Sequence, residues 1–231
     1  MNDEKRNKRV RLLVSRLNKE RKKQAKQIDI LCNDFVIAQK DFIKALKTIG
    51  FAADFYEGIS GLTDLNELVT ASANLIQNQI QDANIVFFLP VNDNLDCRQT
   101  SFEMHIFEHP GAPGIDPLAS SEIEVEDRRI ENFFTAELVN EIGKSNRICL
   151  IEDMLGMGLQ CSPACLEKIS AAALPLSSRN SSVGFILIYR CSRSSQKPLT
   201  ADELKCLVQV SSGLARSIAA CRDFVHIAEP T

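Results

Sequence analysis

The sequence predicts an α/β chain of the α+β kind: one sizeable domain of hairpin strands and amphipathic helices, preceded by a long helix. Three observations carry this. From about residue 5 to residue 49 there is neither Gly nor Pro, so a helix can run uninterrupted up to Gly50. Between residues 85 and 189 short apolar runs with strand character recur, flanked by stripes at helical spacing. With 231 residues, 45% of them apolar, the chain is long enough to bury a real core.

The first element also carries the charge. Residues 1–26 hold eleven Lys/Arg against three Asp/Glu, leaving 16 against 27 in the rest, a basic stem on an acidic body. Further along, Ile28, Leu31, Phe35, Ala38, Phe42, Ala45 and Ile49 step alternately by three and four, the seam of a left-handed coiled coil. Continued backwards, the register meets Leu17, Val14 and Val10 but also Arg21 and Gln24, so the seam weakens in the basic half. A parallel homodimer through Ile28, Leu31, Phe35, Phe42 and Ile49 is expected. The basic stretch reads as the solvated end of that coil, and nucleic acid is not expected as a partner. Residues 1–58 are thus read as coil and connection, 59–226 as the domain, and 227–231 as a tail.

Residues 50–61 read as a connection, because Gly50, Gly58, Ser60 and Gly61 punctuate them. Thr63 is the expected N-cap of a cover helix with Leu65, Leu68, Val69, Leu75, Ile76 and Ile80 on one side. Ile85 to Leu89 is a wholly apolar run suited to a strand buried on both faces. Residues 101–109 alternate, Phe102, Met104 and Ile106 against Glu103, His105 and His109, which makes a hairpin with the preceding strand and puts both histidines at the surface. Residues 110–121, with three prolines and two glycines, are a loop, and Glu122, Glu124, Glu126 and Asp127 form an acidic patch. One helix is expected to carry Ile130, Phe133, Phe134, Leu138 and Ile142, followed by a strand from Ile148 to Ile151 closed by Glu152 and Asp153. Residues 154–165 are poorly periodic.

The last third is the most legible. Ala172 to Leu176 and Val183 to Tyr189 form a hairpin with a polar tip. Thr200-Ala-Asp-Glu203 is a capping box, stapled by Leu199 and Leu204, that opens a helix with Leu207, Leu214, Ile218, Cys221 and Val225 on one stripe.

This order of elements resembles the GAF family over residues 62 to 226. The closest matches to its motifs are Pro175-Leu176, Val183-Gly184-Phe185-Ile186-Leu187 and Thr200-Ala201-Asp202-Glu203. The resemblance implies a GAF-like antiparallel sheet with the terminal helices on one face and a ligand pocket beneath loops on the other. It also implies dimerisation through those helices, as in many members. The pocket would lie under residues 110–146 and 154–168, lined by Phe102, Met104, Phe134, Met154 and Leu174, with Asp153 among its polar groups. Such walls suit a small, largely hydrophobic or aromatic ligand of unknown identity.

Cyclic-nucleotide-binding members carry an Asn-Lys…Phe…Asp-Glu signature, of which only Asn132 and Phe134 are present. Bilin-binding members use a Cys-His pair, whereas Cys165 precedes Leu166 and no histidine lies between His109 and His226. Cys161 and Cys165 are the one close cysteine pair, and a thiol-dependent reductase or redox sensor is the enzymatic alternative. The other thiols, Cys32, Cys97, Cys149, Cys191, Cys206 and Cys221, are scattered and form no disulfide framework. No phosphate-binding Gly loop or Ser/His/Asp constellation occurs, so no enzymatic activity is expected. A structural scaffold with a self-filled pocket is the third reading.

No run approaches the roughly 18–20 apolar residues of a membrane span, and the charged start lacks a signal's apolar core, so a cytoplasmic address is expected. Because the chain ends soon after its last helix, an output in trans through a downstream signalling protein is expected.

Overall fold

The computed structural model describes residues 2–91, 101–108, 129–145, 147–161, 169–178, 181–191 and 198–228. The chain divides into two compact units, Met1–Lys47 and Thr48–Thr231. No helix among the described residues is long and apolar enough to cross a membrane.

From Asn2 onward the first unit is helical, part of α1 (Asn2–Ile59). Along it Ile28, Leu31, Phe35 and Phe42 are all more than half exposed in the single chain, as is Ile49 in the second unit. The helix does not stop at Gly50. It runs through the expected connection to Ile59, because Phe51, Phe55 and Ile59 recur every four residues as a stripe that is 8%, 0% and 5% exposed. Burying three such side chains contributes roughly 1.5–3 kcal/mol each, more than the ~1 kcal/mol that each glycine costs a helix. Gly58 has a packing role as well: a Cβ there would come within 2.8 Å of Leu75 Cδ1 on the next helix.

That helix, α2 (Leu65–Gln79), is capped by Asp64 rather than Thr63, the Asp64 carboxylate accepting from the Glu67 amide at 2.9 Å. The sheet follows. Strands β1 (Asn84–Pro90), β2 (Phe102–Phe107), β3 (Cys149–Leu150), β4 (Ile169–Ser178) and β5 (Ser181–Cys191) lie in the order β2-β1-β5-β4-β3, every pairing antiparallel. β1 lies between β2 and β5, and all five of its residues from Ile85 to Leu89 are buried. Gly184 on β5 has φ +129°, and a Cβ there would come 2.1 Å from the Phe88 carbonyl oxygen, so only glycine lets β5 approach β1 so closely.

Two apolar clusters sandwich the sheet. On one face Ile85, Phe87, Leu89, Leu174, Ile186 and Ile188 pack with the α1 stripe, α2 and α5 (Ala201–Ala228). The capping box of α5 forms as expected: Glu203 Oε2 accepts from the Thr200 amide at 2.7 Å, and Thr200 Oγ1 accepts from the Glu203 amide at 3.3 Å. On the other face Val86, Phe88, Ala173, Phe185 and Leu187 pack under short elements. The single helix expected around residues 130–142 is two pieces, a 3-10 turn (Ile130–Phe133) and α3 (Ala136–Lys144). Thr135 divides them: its hydroxyl accepts from the Leu138 amide and starts α3 afresh. The strand expected to reach Ile151 ends at Leu150, and Ile151 opens a further short helix, α4 (Ile151–Gly156).

Candidate ligand-binding face of the sheet

The face under the short elements is built on aromatic side chains. Phe88 and Phe185 face each other from paired positions on β1 and β5, and their rings stack at 4.6 Å and 13°. Phe134, at the joint between the 3-10 turn and α3, adds a third ring at 5.3 Å from Phe88 and 6.4 Å from Phe185. Half-buried Phe102 packs against the same cluster, beside Gly143 near the end of α3. Met104, opposite Phe88 on edge strand β2, is 50% exposed, and Met154 on α4 is fully buried. Four of the six expected pocket residues, Phe102, Met104, Phe134 and Met154, thus belong to one face.

The other two do not serve as expected. Leu174 pairs with Ile186 and packs on the opposite face, among the long helices, where Ala173 is its counterpart on this side. A one-residue difference in strand phase swaps the faces, and the register places Ala171 and Ala173 here instead. Asp153 is committed to local structure: its Oδ2 accepts from the Leu150 amide at 3.0 Å and its Oδ1 from Arg147 Nη2 at 3.4 Å. It closes the β3–α4 junction.

Sequence reasoning missed Glu131. This residue of the 3-10 turn is 4% exposed, and among the described residues neither carboxylate oxygen has a hydrogen-bond partner. Ile130 just before it and Phe133 two residues on pack into the apolar cluster of this face. In a continuous α-helix Glu131 would lie about 100° around from Ile130 and about 60° from Phe134; the tighter 3-10 turn (Ile130–Phe133), about 120° per residue, changes what each position faces. A charged residue inside the run Ile130 to Phe134 was the available signal. The turn is anchored by Arg129, whose guanidinium pairs with Glu108 just beyond β2.

Among the thiols, Cys149 is buried with its Sγ 3.0 Å from Ser145 Oγ, and Cys161 is half-buried at the margin of the cluster. Cys165 lies outside the described residues, as do Cys97, His109, residues 110–121 and the acidic patch at 122–127. His105 is not at the surface. It faces the long helices opposite Phe87, its side chain is 14% exposed, and its Nε2 lies 3.6 Å from Glu103 Oε1. Among the described residues no group of three or more His, Cys, Asp and Glu could hold a metal ion. Elsewhere in this unit, a groove of ≈ 320 Å³ runs between the end of α1 and α5, lined by Tyr56, Ile59, Leu62, Ser217 and Cys221. Burial, and secondarily the charge of Asp64, pushes the Cys221 thiol above its ordinary range.

No protein-family model matches the sequence, and no curated protein does. Solved structures do. The GAF domain of an Acinetobacter phosphoenolpyruvate-protein phosphotransferase is 11% identical and superimposes with a TM-score of 0.50 over 78% of this chain and 98% of its own. The corresponding GAF domain from Coxiella burnetii is also 11% identical, with a TM-score of 0.49 over 79% of this chain and 98% of that one. The fold is GAF-like, an antiparallel sheet flanked by helices. Identity of this order speaks to the fold alone.

Proposed function

We propose that this chain is a non-catalytic sensory module of the GAF type, which takes a small ligand on the short-element face of its sheet and pairs with a second copy through the seam of α1. The ligand has an apolar or aromatic body, set against Phe134, Phe102 and Met104, and a protonated amine or guanidinium that reaches Glu131. The observation that carries this is the Glu131 carboxylate, buried with no hydrogen bond among the described residues. Leaving a carboxylate unpaired in an apolar cluster costs several kcal/mol, on the order of 3–5, and a donor from a ligand offsets that cost. A self-filled scaffold gives no reason to keep a charge there.

Thermal shift with a panel of arylalkyl amines and guanidines tests the ligand half of the reading. A binder at about 100 times its Kd adds ~2.7 kcal/mol of stability. It should stabilise the native chain and leave Glu131→Gln unmoved. If no cationic compound discriminates the two proteins, the assignment to Glu131 is wrong. The paired-helix half is tested by light scattering. A dimer is expected, becoming a monomer when Phe35→Glu and Phe42→Glu are combined, since two large apolar residues of the seam then carry charge. A monomeric native chain at tens of micromolar would remove pairing from the account.

A further inference from the structure

The helical stem has a second face, and its charge has a direction. Counted as composition, residues 6–26 are simply basic; on a helix turning about 100° per residue, every Lys and Arg among them except Arg6 and Arg21 falls within one arc of about 160°. Glu20, the segment's one carboxylate, lies outside that arc. All these residues are exposed. The other side of the same turns holds Val10, Leu13, Val14 and Leu17, interrupted by Arg6, Glu20, Arg21 and Gln24.

From this segregation we propose that the basic face of α1 binds duplex DNA through its phosphates. Between Lys8 and Lys26 the face extends about 27 Å at 1.5 Å per residue, along which a duplex presents one phosphate charge per ~1.7 Å of axis. A helix also fits the DNA major groove, about 12 Å wide, whereas the major groove of duplex RNA is too deep and narrow to admit side chains. A continuous helix that is basic before an apolar seam is the arrangement by which zipper proteins enter that groove. An anionic membrane fits less well. An interfacial helix inserts a broad apolar face, and here that side is broken by charges and lacks any aromatic residue before Phe35.

The inference is independent of the ligand reading and is tested on the full chain by fluorescence anisotropy with a labelled mixed-sequence duplex of about 20 base pairs, longer than the face. Affinity should fall about 10²–10³-fold between about 50 and 200 mM salt if four or five phosphates are neutralised. Two charge-reversed pairs separate face from mere charge. Lys19→Glu with Lys26→Glu, at the centre of the arc, should weaken binding at least tenfold more than Arg6→Glu with Arg21→Glu, while circular dichroism shows both still helical. The proposal is overturned by no binding at the lower salt, by equal losses from the two pairs, or by tighter binding to duplex RNA or to phosphatidylserine vesicles than to DNA.

Discussion

The two faces of the sheet are both apolar, yet they are closed in different ways. On one, Ile85, Phe87 and Leu89 meet α1, α2 and α5, of which α2 and α5 are capped by their own side chains and all three bury a long stripe. On the other, Val86, Phe88 and Phe185 meet a four-residue turn, a nine-residue helix and a six-residue helix. Among the described residues each face also buries one charged side chain. Arg190, 7% exposed on the helical side, donates from Nη2 to Glu203 Oε1 at 2.8 Å, from Nη1 to Oε2 at 3.3 Å and from Nε to the Gln81 carbonyl at 3.0 Å. Glu131 on the other side has no such partner among the described residues. Short elements can open locally at less cost than long ones, and an unsatisfied charge marks where something is needed. The helical face holds the fold, and the face of short elements is where binding is proposed.

Substitutions on either side should show this asymmetry. Phe55→Ala empties the centre of the helical cluster and is expected to cost about 3–5 kcal/mol in urea unfolding; a cost under about 1 kcal/mol would mean the α1 stripe is dispensable. Next is the buried pair. Burial works to raise the Glu203 carboxyl, but hydrogen bonds from Arg190 and Thr200 and the charge of Arg190 outweigh it, so its pKa lies below its ordinary value of 4.5. A group depressed in the folded state contributes stability above its unfolded pKa and loses it as pH falls through the folded one. Glu203→Gln should therefore cost about 1–3 kcal/mol at neutral pH and flatten the acid limb of the stability curve below about pH 5. An unchanged limb would show that the pair is idle.

On the other face, Phe134→Ala should cost only about 1–2 kcal/mol, because its ring is half-buried and leaves the Phe88–Phe185 stack intact. A loss as large as that of Phe55→Ala would make the two faces equivalent. The smallest effect has the opposite sign. In ligand-free protein Glu131→Gln removes a buried charge and should stabilise the fold by about 1 kcal/mol. Destabilisation would indicate that the carboxylate already has a partner.

What could be read from sequence was local or periodic. The Thr200–Glu203 box, the apolar run of β1 and the β4–β5 hairpin depend on residues a few positions apart, and each formed. What could not be read depended on tertiary partners. Gly50 and Gly58 signalled a break, and only the cluster that receives Phe51 and Phe55 explains why α1 continues. The spacing of Ile130, Phe134, Leu138 and Ile142 is helical throughout, yet the side chain of Thr135 caps α3 and splits it. Leu174 changed face because strand phase is set by pairing with β5, and Asp153 was taken by the Leu150 amide. Glu131 stood in an apolar stretch like any surface glutamate; its burial is a property of the fold.

The most direct test of the ligand-binding account is the mass of natively purified protein, sprayed first under non-denaturing and then under denaturing conditions. The account predicts one additional small basic molecule per chain in the native spectrum, released on denaturation and absent from Glu131→Gln. A native spectrum holding only the bare chain, single or paired, for both proteins would contradict it and favour a scaffold with a self-filled core.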